Sequence, residues 1–435
     1  MAVTGRTALV AALGALVVAA FPGWNGVLAV LGLLLLAVLY DLARAAPVRT
    51  LGLARDGDTT TRLGEEAHVT LTVTNTSARV LRADLRDAWP PSSWRPAARF
   101  AGSRHRLTVP AGERRRVTTV LSPTRRGDHR PVRVTVRSYG PLGLAARQGG
   151  HRVPWAVRVL PPFTSRKHLP AKLARLRELD GRTTLLTRGE GTEFDSLREY
   201  VPGDDVRSID WRATARQSSV AVRTWRPERD RHLLLVLDTG RTSAGRVGDM
   251  PRLDASLDAA LLLTALASRA GDRVDLLAFD RTTRASVRGR SATDVLPSVV
   301  NALAGVEPAL VESDPGGMAS AALAAAGNRS LIVLFTALDT APLESGLLPV
   351  LPRLTRRHKV VVAAVSDPRI EEMSRARGTV AGVYEAAAAA RHEAERDQLA
   401  ERLTRLGVTV VEGLPDALPP ALADAYLTLK ASGKL

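Results

Sequence analysis

Two uncharged stretches near the start of the chain, residues 8–24 and 27–40, constrain its architecture more than anything after them. Neither contains Asp, Glu, Lys or Arg, and the Phe-Pro-Gly-Trp-Asn-Gly junction at 21–26 carries turn chemistry. At 17 and 14 residues they are short for bilayer spans. As an adjacent pair they read as a helical hairpin, with Trp24 and Tyr40 at interfacial depth. The alternative is a signal peptide with Arg6 as its charged start and residues 8–20 as its apolar core; a second apolar stretch directly behind weighs against that. Arg6 precedes the first stretch, Arg44 and Arg49 follow the second, and the loop between is uncharged. The positive-inside rule then expects a cell-membrane protein with two transmembrane helices and its soluble domains in the cytoplasm.

Behind the hairpin lies far more chain than one core accommodates, since the full length is 435 residues. There is no cysteine, which removes disulfides, thiolate metal sites and thiol nucleophiles. The eight histidines are scattered without metal-ligand spacing. The formal charge is +17, but lysine occurs at only five positions (167, 172, 359, 430, 434), so arginine carries nearly all of the positive charge along the whole chain. With aromatics at 4%, a base-stacking platform is not expected and neither is nucleic-acid binding. Attraction to acidic lipid follows more directly from the anchor.

Two hydrophobic periods divide the remainder. Over residues 50–160 apolar residues alternate, as in 68–75, 115–121, 132–137 and 153–160, with turns at 110–112, 126–127 and 139–143. This predicts a small β-sandwich. From residue 231 the pattern changes: 233–237 is a continuous apolar run, and strands are expected there and at 274–279, 331–335, 360–365 and 408–411. Helical stretches at 252–269, 292–303, 347–354 and 387–406 fall between them, so residues 231–435 are expected to form a doubly wound α/β domain. The expected order is therefore a hairpin at 1–45, a β-sandwich at 50–160, a linker helix and a dense segment at 161–230, and the α/β domain.

The dense segment is residues 189–216, GEGTEFDSLREYVPGDDVRSIDWRATAR. Its Gly-x-Gly lacks the following Gly-Lys-Ser/Thr of a phosphate loop. Glu190, Glu193, Asp204, Asp205 and Asp210 could be paired carboxylates for hydrolysis. Arg198, Arg207, Arg212 and Arg216 are interleaved with them, however, and such mixtures more often form ion pairs that fix a loop. Tyr200 and Trp211 are then expected to pack that loop on the first sheet strand, and Pro202-Gly203 to turn it.

This segment closely resembles the signature of a bacterial family, domain of unknown function 58. The matching residues are Gly189, Gly191, Glu193, Phe194, Leu197, Arg198, Tyr200, Pro202, Gly203, Asp204, Asp205, Arg207, Ile209, Asp210, Trp211, Ala213, Ala215 and Arg216. Looser matches are the Arg-Gly turn at 126–127 and the turn at 140–144, where Gly140 and Leu142 replace the family's Asp and Phe; residues 425–435 resemble its usual terminus. Asp238-Thr-Gly-Arg-Thr-Ser243 is similar to the cation loop of von Willebrand factor A domains, which the resemblance assigns to magnesium. Asp238 matches and Thr242 serves for the second serine. Gly240 replaces the first serine, Ala337 stands where an acid is expected, Asp339 is offset by two, and Thr293 is the candidate threonine ligand. With those losses a degenerate site is expected, no cofactor is assigned, and Asp238 reads best as a helix cap or turn acid.

What the resemblance implies is a membrane-anchored cytoplasmic scaffold without catalytic residues, partnered by a MoxR-type AAA+ ATPase and by client proteins in assembly or maturation. Gly191, Glu193, Phe194, Arg198, Tyr200, Gly203, Asp204, Asp205, Arg207, Asp210, Trp211 and Arg216 would be its docking or structural residues. The alternative is a hydrolase using Glu193, Asp204 and Asp210.

Overall fold

The computed structural model describes residues 2–20, 23–95, 103–186, 193–216, 219–226, 231–327, 329–339 and 342–433. It divides into two compact units, Met1–Pro162 and Phe163–Leu435.

The first unit opens with two apolar helices, Gly5–Ala20 and Trp24–Arg44. Among the described residues, the 21-residue second helix alone is long and apolar enough to cross a membrane; the first, with 16 residues, is too short by the same measure. The helices touch closely at Gly14, where a Cβ would fall 2.5 Å from Val30 Cγ1. Small residues at such contacts let apolar helices pack backbone to backbone. Both helices then grip one turn of the β-structure. Asp41, fully buried near the end of the second helix, accepts hydrogen bonds from the backbone N–H groups of Leu142 (2.8 Å), Leu144 (2.6 Å) and Ala145 (2.9 Å). Ahead of the first helix, Thr4 donates its hydroxyl to the Gly143 carbonyl (2.7 Å), and Thr7 donates to that of Leu144 (2.5 Å). A carboxylate away from water is tolerated only when its oxygens are hydrogen-bonded, and these three amides meet that need.

Alternation over the β-region produces three sheets. Strands Ala2–Val3, Ala145–His151, Arg133–Tyr139, Leu81–Ala88 and Arg104–Val109 lie side by side in that order, and Gly52–Gly57, Ala67–Thr74 and Arg114–Leu121 form a second sheet. Their inward residues make one core: Leu71 and Val73 from one sheet pack with Leu81, Leu85, Val134 and Val136 from the other. Each such side chain contributes roughly 1.5–3 kcal/mol of hydrophobic stabilisation. A smaller cluster around Trp89, Trp94 and Leu121 lies beside Val157 of the third sheet (strands 60–62, 157–160 and 127–129). One buried ion pair crosses the sandwich. Arg55 reaches Asp87 at 2.6 and 3.1 Å, and Asp87 also accepts from Trp89 Nε1 and the Thr119 hydroxyl.

In the second unit six strands form one sheet: β1 (His232–Asp238), β2 (Arg273–Phe279), β3 (Thr283–Val287), β4 (Ser330–Phe335), β5 (Lys359–Val365) and β6 (Thr409–Gly413). Their order is β3-β2-β1-β4-β5-β6, parallel throughout except for the antiparallel edge strand β3. Continuous apolar runs give strands buried on both faces, and every residue of β1 is buried. Helix Arg252–Arg269 is buried from Leu253 to Ser268, which explains its near absence of a polar face. Its Asp258 fixes the start of the unit by accepting from the Thr164 hydroxyl (2.7 Å) and the Ser165 N–H. The expected helix at 347–354 is instead a π-turn at Leu343–Leu347 and a short helix at Leu351–Thr355, because Pro349 and Pro352 interrupt the backbone ladder.

Candidate functional site

Chain order reverses between β1 and β4, so the loops after these strands meet at the sheet's carboxyl edge, where doubly wound folds bind ligands. Asp238, the last residue of β1, is 6% exposed and at the centre of that edge. One carboxylate oxygen accepts from the Gly240 N–H (2.9 Å) and the Ser313 hydroxyl (2.5 Å); the other accepts from the hydroxyls of Thr242 (3.3 Å) and Thr336 (3.0 Å). The Ser243 hydroxyl donates to the Asp238 carbonyl at 2.6 Å. Gly240 is required sterically, because a Cβ there would lie 2.1 Å from Ser313 Oγ. The hydroxyl of Ser313 thus fills the space that a side chain at 240 would take.

Thr242, identified from the sequence, belongs to this cluster; Thr293 does not, since its hydroxyl pairs with Ser291 at 3.0 Å in the turn before helix Val295–Ala304. Ser313 was not legible: it is 75 residues from Asp238 and no local pattern marks it. Ala337 is buried and supplies no acid, while Asp339 stands 3.5 Å from Arg252. Next to the cluster, fully buried Asp280 faces Arg284 at 2.6 Å. Burial pushes its carboxyl upward, but the Arg284 hydrogen bond and the N–H groups of Arg281 and Thr282 outweigh that and hold it below the usual carboxylate range. Hydroxyl and carboxylate oxygens suit a hard cation. Here, however, one carboxylate already accepts four donors, and among the described residues no group of three or more His, Asp or Glu is placed to hold a metal.

The signature segment forms an arm beside this sheet's sequence rather than a strand of it. Glu193–Glu199 pairs antiparallel with Ala221–Arg226 as a separate two-stranded ribbon. Gly191, and the side chains of Glu193 and Phe194, lie outside the described residues. At the ribbon's end Gly203 turns the chain at φ 109°. The acids build the turns. Asp204 pairs with Arg198 at 2.5 Å and accepts from the Val201 N–H; Asp205 caps the 3-10 turn Val206–Ser208 through the Arg207 N–H. Asp210 caps the helical turn Trp211–Thr214 through the N–H groups of Arg212 and Ala213 (both 3.0 Å), and reaches Arg223 at 2.7 Å. The Arg198 hydrogen bond, then the Val201 amide, hold Asp204 below the ordinary carboxylate range; for Asp210 the Ala213 amide leads, followed by Arg223. Of the interleaved arginines, Arg198 forms the expected ion pair. Among the described residues Arg207, Arg212 and Arg216 make no side-chain ion pair, and Arg223, outside the segment, takes Asp210.

The aromatic expectation is corrected. Trp211 is 68% exposed and does not pack on the sheet; Tyr200, just past the strand Glu193–Glu199, is about one third exposed. Asp210 must face the amides behind it and Arg223 on the ribbon, which turns Trp211, the first helical residue, outward. Val206 (62%) and Val201 (55%) are exposed with it.

A second polar cluster occupies the opposite, amino edge of the sheet. His232 lies between the Ser330 hydroxyl (2.8 Å) and Asp275 (3.0 Å), an arrangement of nucleophile, base and acid in outline. All three are buried, and Asp275 also takes the Gly289 N–H and Arg273, so the cluster braces the starts of β1, β2 and β4.

The fold thus defines a doubly wound α/β unit with an antiparallel third strand, preceded by a β-sandwich and an apolar helix pair. Residues 196–405 match the family described as "Protein of unknown function DUF58". An uncharacterized protein of Mycobacterium bovis and one of Mycobacterium tuberculosis are each 28% identical to this chain over 190 residues, 43% of this chain and 59% of theirs. The chain therefore spans less than two thirds of the length of these relatives. Among solved structures, a CARDB domain from Pyrococcus furiosus in complex with di-metal ions covers 25% of this chain and 86% of its own at 12% identity, with a TM-score of 0.18. A GH20 exo β-N-acetylglucosaminidase from Vibrio harveyi covers 83% of this chain and 75% of its own at 10% identity, with a TM-score of 0.21. Likeness at that level carries no argument.

Proposed function

We propose that this chain is a membrane-anchored protein-interaction scaffold of the domain of unknown function 58 family, with its soluble units in the cytoplasm. Its α/β unit is of the von Willebrand factor A type, and its partner is a MoxR-type AAA+ ATPase acting with it on client proteins. The carrying observation is the arm: its acids are consumed in caps and ion pairs, while Trp211, Val206 and Val201 are left to solvent. Exposed apolar side chains grouped on a polar-braced turn are what a protein partner buries. The same pairing of Asp204 and Asp210 counts against the hydrolase alternative, since neither carboxylate is free to act on a substrate. Strand order supports the A-type reading, as does the Asp238 hydroxyl cluster at the sheet's carboxyl edge. The apolar helix Trp24–Arg44 supports the anchor.

Affinity capture of the tagged full chain from gently solubilised native membranes tests the reading. Stoichiometric recovery of an AAA+ ATPase by the wild type, lost with Trp211→Ala, is the expected result. Equal recovery by the variant would remove the arm from the interface, and hydrolysis of phosphate or ester substrates that disappears in Asp210→Asn would favour the enzyme. Single cysteines introduced into this cysteine-free chain report the side of the membrane through labelling by an impermeant maleimide.

A further inference from the structure

The outer face of the five-stranded sheet carries a charge pattern that neither the fold nor the scaffold reading uses. Inward residues of strands Leu81–Ala88, Arg104–Val109 and Arg133–Tyr139 build the core, so alternate residues point outward. Register places Arg86 directly opposite Arg104, with Thr135 on the other flank of Arg86; no acid stands in that row. Like charges directly opposite on neighbouring strands are destabilising unless something neutralises them. One register step along, Asp84 sits between Arg106 and Arg137. Its two oxygens are taken by Arg106 Nε and the Tyr139 hydroxyl, both at 2.9 Å, while Arg137 turns to Gln148. Arg133 borders the same hollow, a concavity of about 830 Å³. Among the described residues Arg86, Arg104 and Arg133 have no acidic partner.

The position of this face in its unit adds a second observation. Strand Ala145–His151, which borders the hollow through Gln148 to Gly150, starts at the turn clasped by Asp41 of the apolar helix. By register the row of Arg86 and Arg104 is level with Gly150, five residues or about 17 Å along that strand from Ala145 and two to three strand spacings of about 4.8 Å across the sheet. The arginines therefore stand roughly 20 Å from the end of that helix and reach the headgroup layer when this face lies along the membrane. Guanidinium groups bind phosphate bidentately and stay charged at every physiological pH.

We propose that the Arg86–Arg104 pair, flanked by Arg133, is a site for the phosphate of an anionic phospholipid headgroup. It rests on the anchor reading for the lipid source, whereas the phosphate chemistry follows from the sheet alone. A phosphate between the two guanidiniums relieves their repulsion and fixes the sandwich against an acidic membrane surface.

The test uses the full chain in neutral detergent, titrated with phosphatidylglycerol or phosphatidylcholine and read by native mass spectrometry. We expect the wild type to retain phosphatidylglycerol over phosphatidylcholine, with about tenfold less retained by Arg86→Glu/Arg104→Glu and by the milder Arg86→Gln/Arg104→Gln. The matched pair Arg114→Glu/Arg116→Glu, exposed on the other sheet, should bind as the wild type does. Equal loss in that control pair would reduce the effect to net charge and overturn the site, as would unchanged retention in both Arg86/Arg104 variants. Stabilisation by inorganic phosphate that depends on Arg86 and Arg104, without preference for phosphatidylglycerol, would overturn the lipid source and assign a soluble phosphate. Alkaline extraction of the variants from membranes separates this result from the anchor: resistance to extraction alongside unchanged lipid retention rejects the site and leaves the anchor standing.

Discussion

Asp238 and Asp210 each gather several donors, yet they do opposite things for the surfaces around them. Asp238 lies at the sealed edge of a parallel sheet, and side-chain hydroxyls from three separate loops converge on it. Asp210 is on a detached ribbon and takes its donors from its own next turn and the neighbouring strand. The first arrangement spends an acid to bind distant segments together, leaving little open around it. The second spends an acid locally and pushes an indole into solvent. Long-range donors mark an acid that holds the fold; short-range donors mark one that shapes a surface.

That contrast breaks if the two acids respond alike to removal. Asp238→Ala strands four donors in a buried place and should cost about 3 kcal/mol, a loss of the size seen when buried polar networks are cut. Hydrogen exchange of β1 and β4 should accelerate by about 100-fold at that cost; exchange at wild-type rates would mean water replaces the carboxylate freely. Gly240→Ala comes next, because the added methyl must displace Ser313. A destabilisation of about 1–3 kcal/mol is expected, seen as a lowered thermal midpoint. Asp210→Ala should raise exchange only within residues 211–226 and leave β1 to β6 untouched; spread into the sheet would show that the ribbon is coupled to it. Trp211→Ala should leave the thermal midpoint unchanged, in keeping with its exposure.

The smallest measurable change separates the sandwich from the arm by pH. Burial, the leading cause, holds His105 and His129 of the sandwich below the usual imidazole range. Their neutral forms are favoured by folding, so that stability is complete above about pH 6.5 and declines as pH falls below it. Asp204 and Asp210 are also depressed, but their contribution persists until pH falls below about 4. Lowering the pH from 7.5 to 5.5 should therefore lower the melting temperature of the sandwich while the protection of the arm's amides, relative to their intrinsic exchange rates at each pH, stays constant. The reverse order of sensitivity would contradict the burial of the two histidines.

Much of the architecture was legible because burial imposes a period. The continuous apolar runs at 233–237, 331–335 and 360–365 coincide with β1, β4 and β5, and the run at 274–279, broken only by Asp275, with β2. Edge strand β3 was missed: Thr-Arg-Ala-Ser-Val is polar and largely exposed, so it carries no such run. Helix Pro315–Ala325 was hidden by its Pro-Gly-Gly opening. Strand Ala145–His151 contains Gly149 and Gly150, which blunt alternation; at Gly149 a Cβ would fall 2.8 Å from Val48 Cγ1. In the signature segment the Arg198–Asp204 pair could be read from spacing, whereas Arg223 and the outward Trp211 depend on how the ribbon closes. Gly140, where the resembling family has an acid, is explained only by the structure: a Cβ there would collide with Asp41.

That collision has a mechanical consequence. Asp41 locks the turn at 142–145 to the helix by three amides, and Thr4 and Thr7 hold the same turn from the other helix. A joint fastened on both sides cannot swivel, so the helices and the sandwich move as one lever. Membrane helices tilt by about 20° on average, and the angle follows the thickness of the lipid around them. With helix Trp24–Arg44 as the proposed anchor, a change in bilayer thickness would become a change in the direction in which the sandwich points.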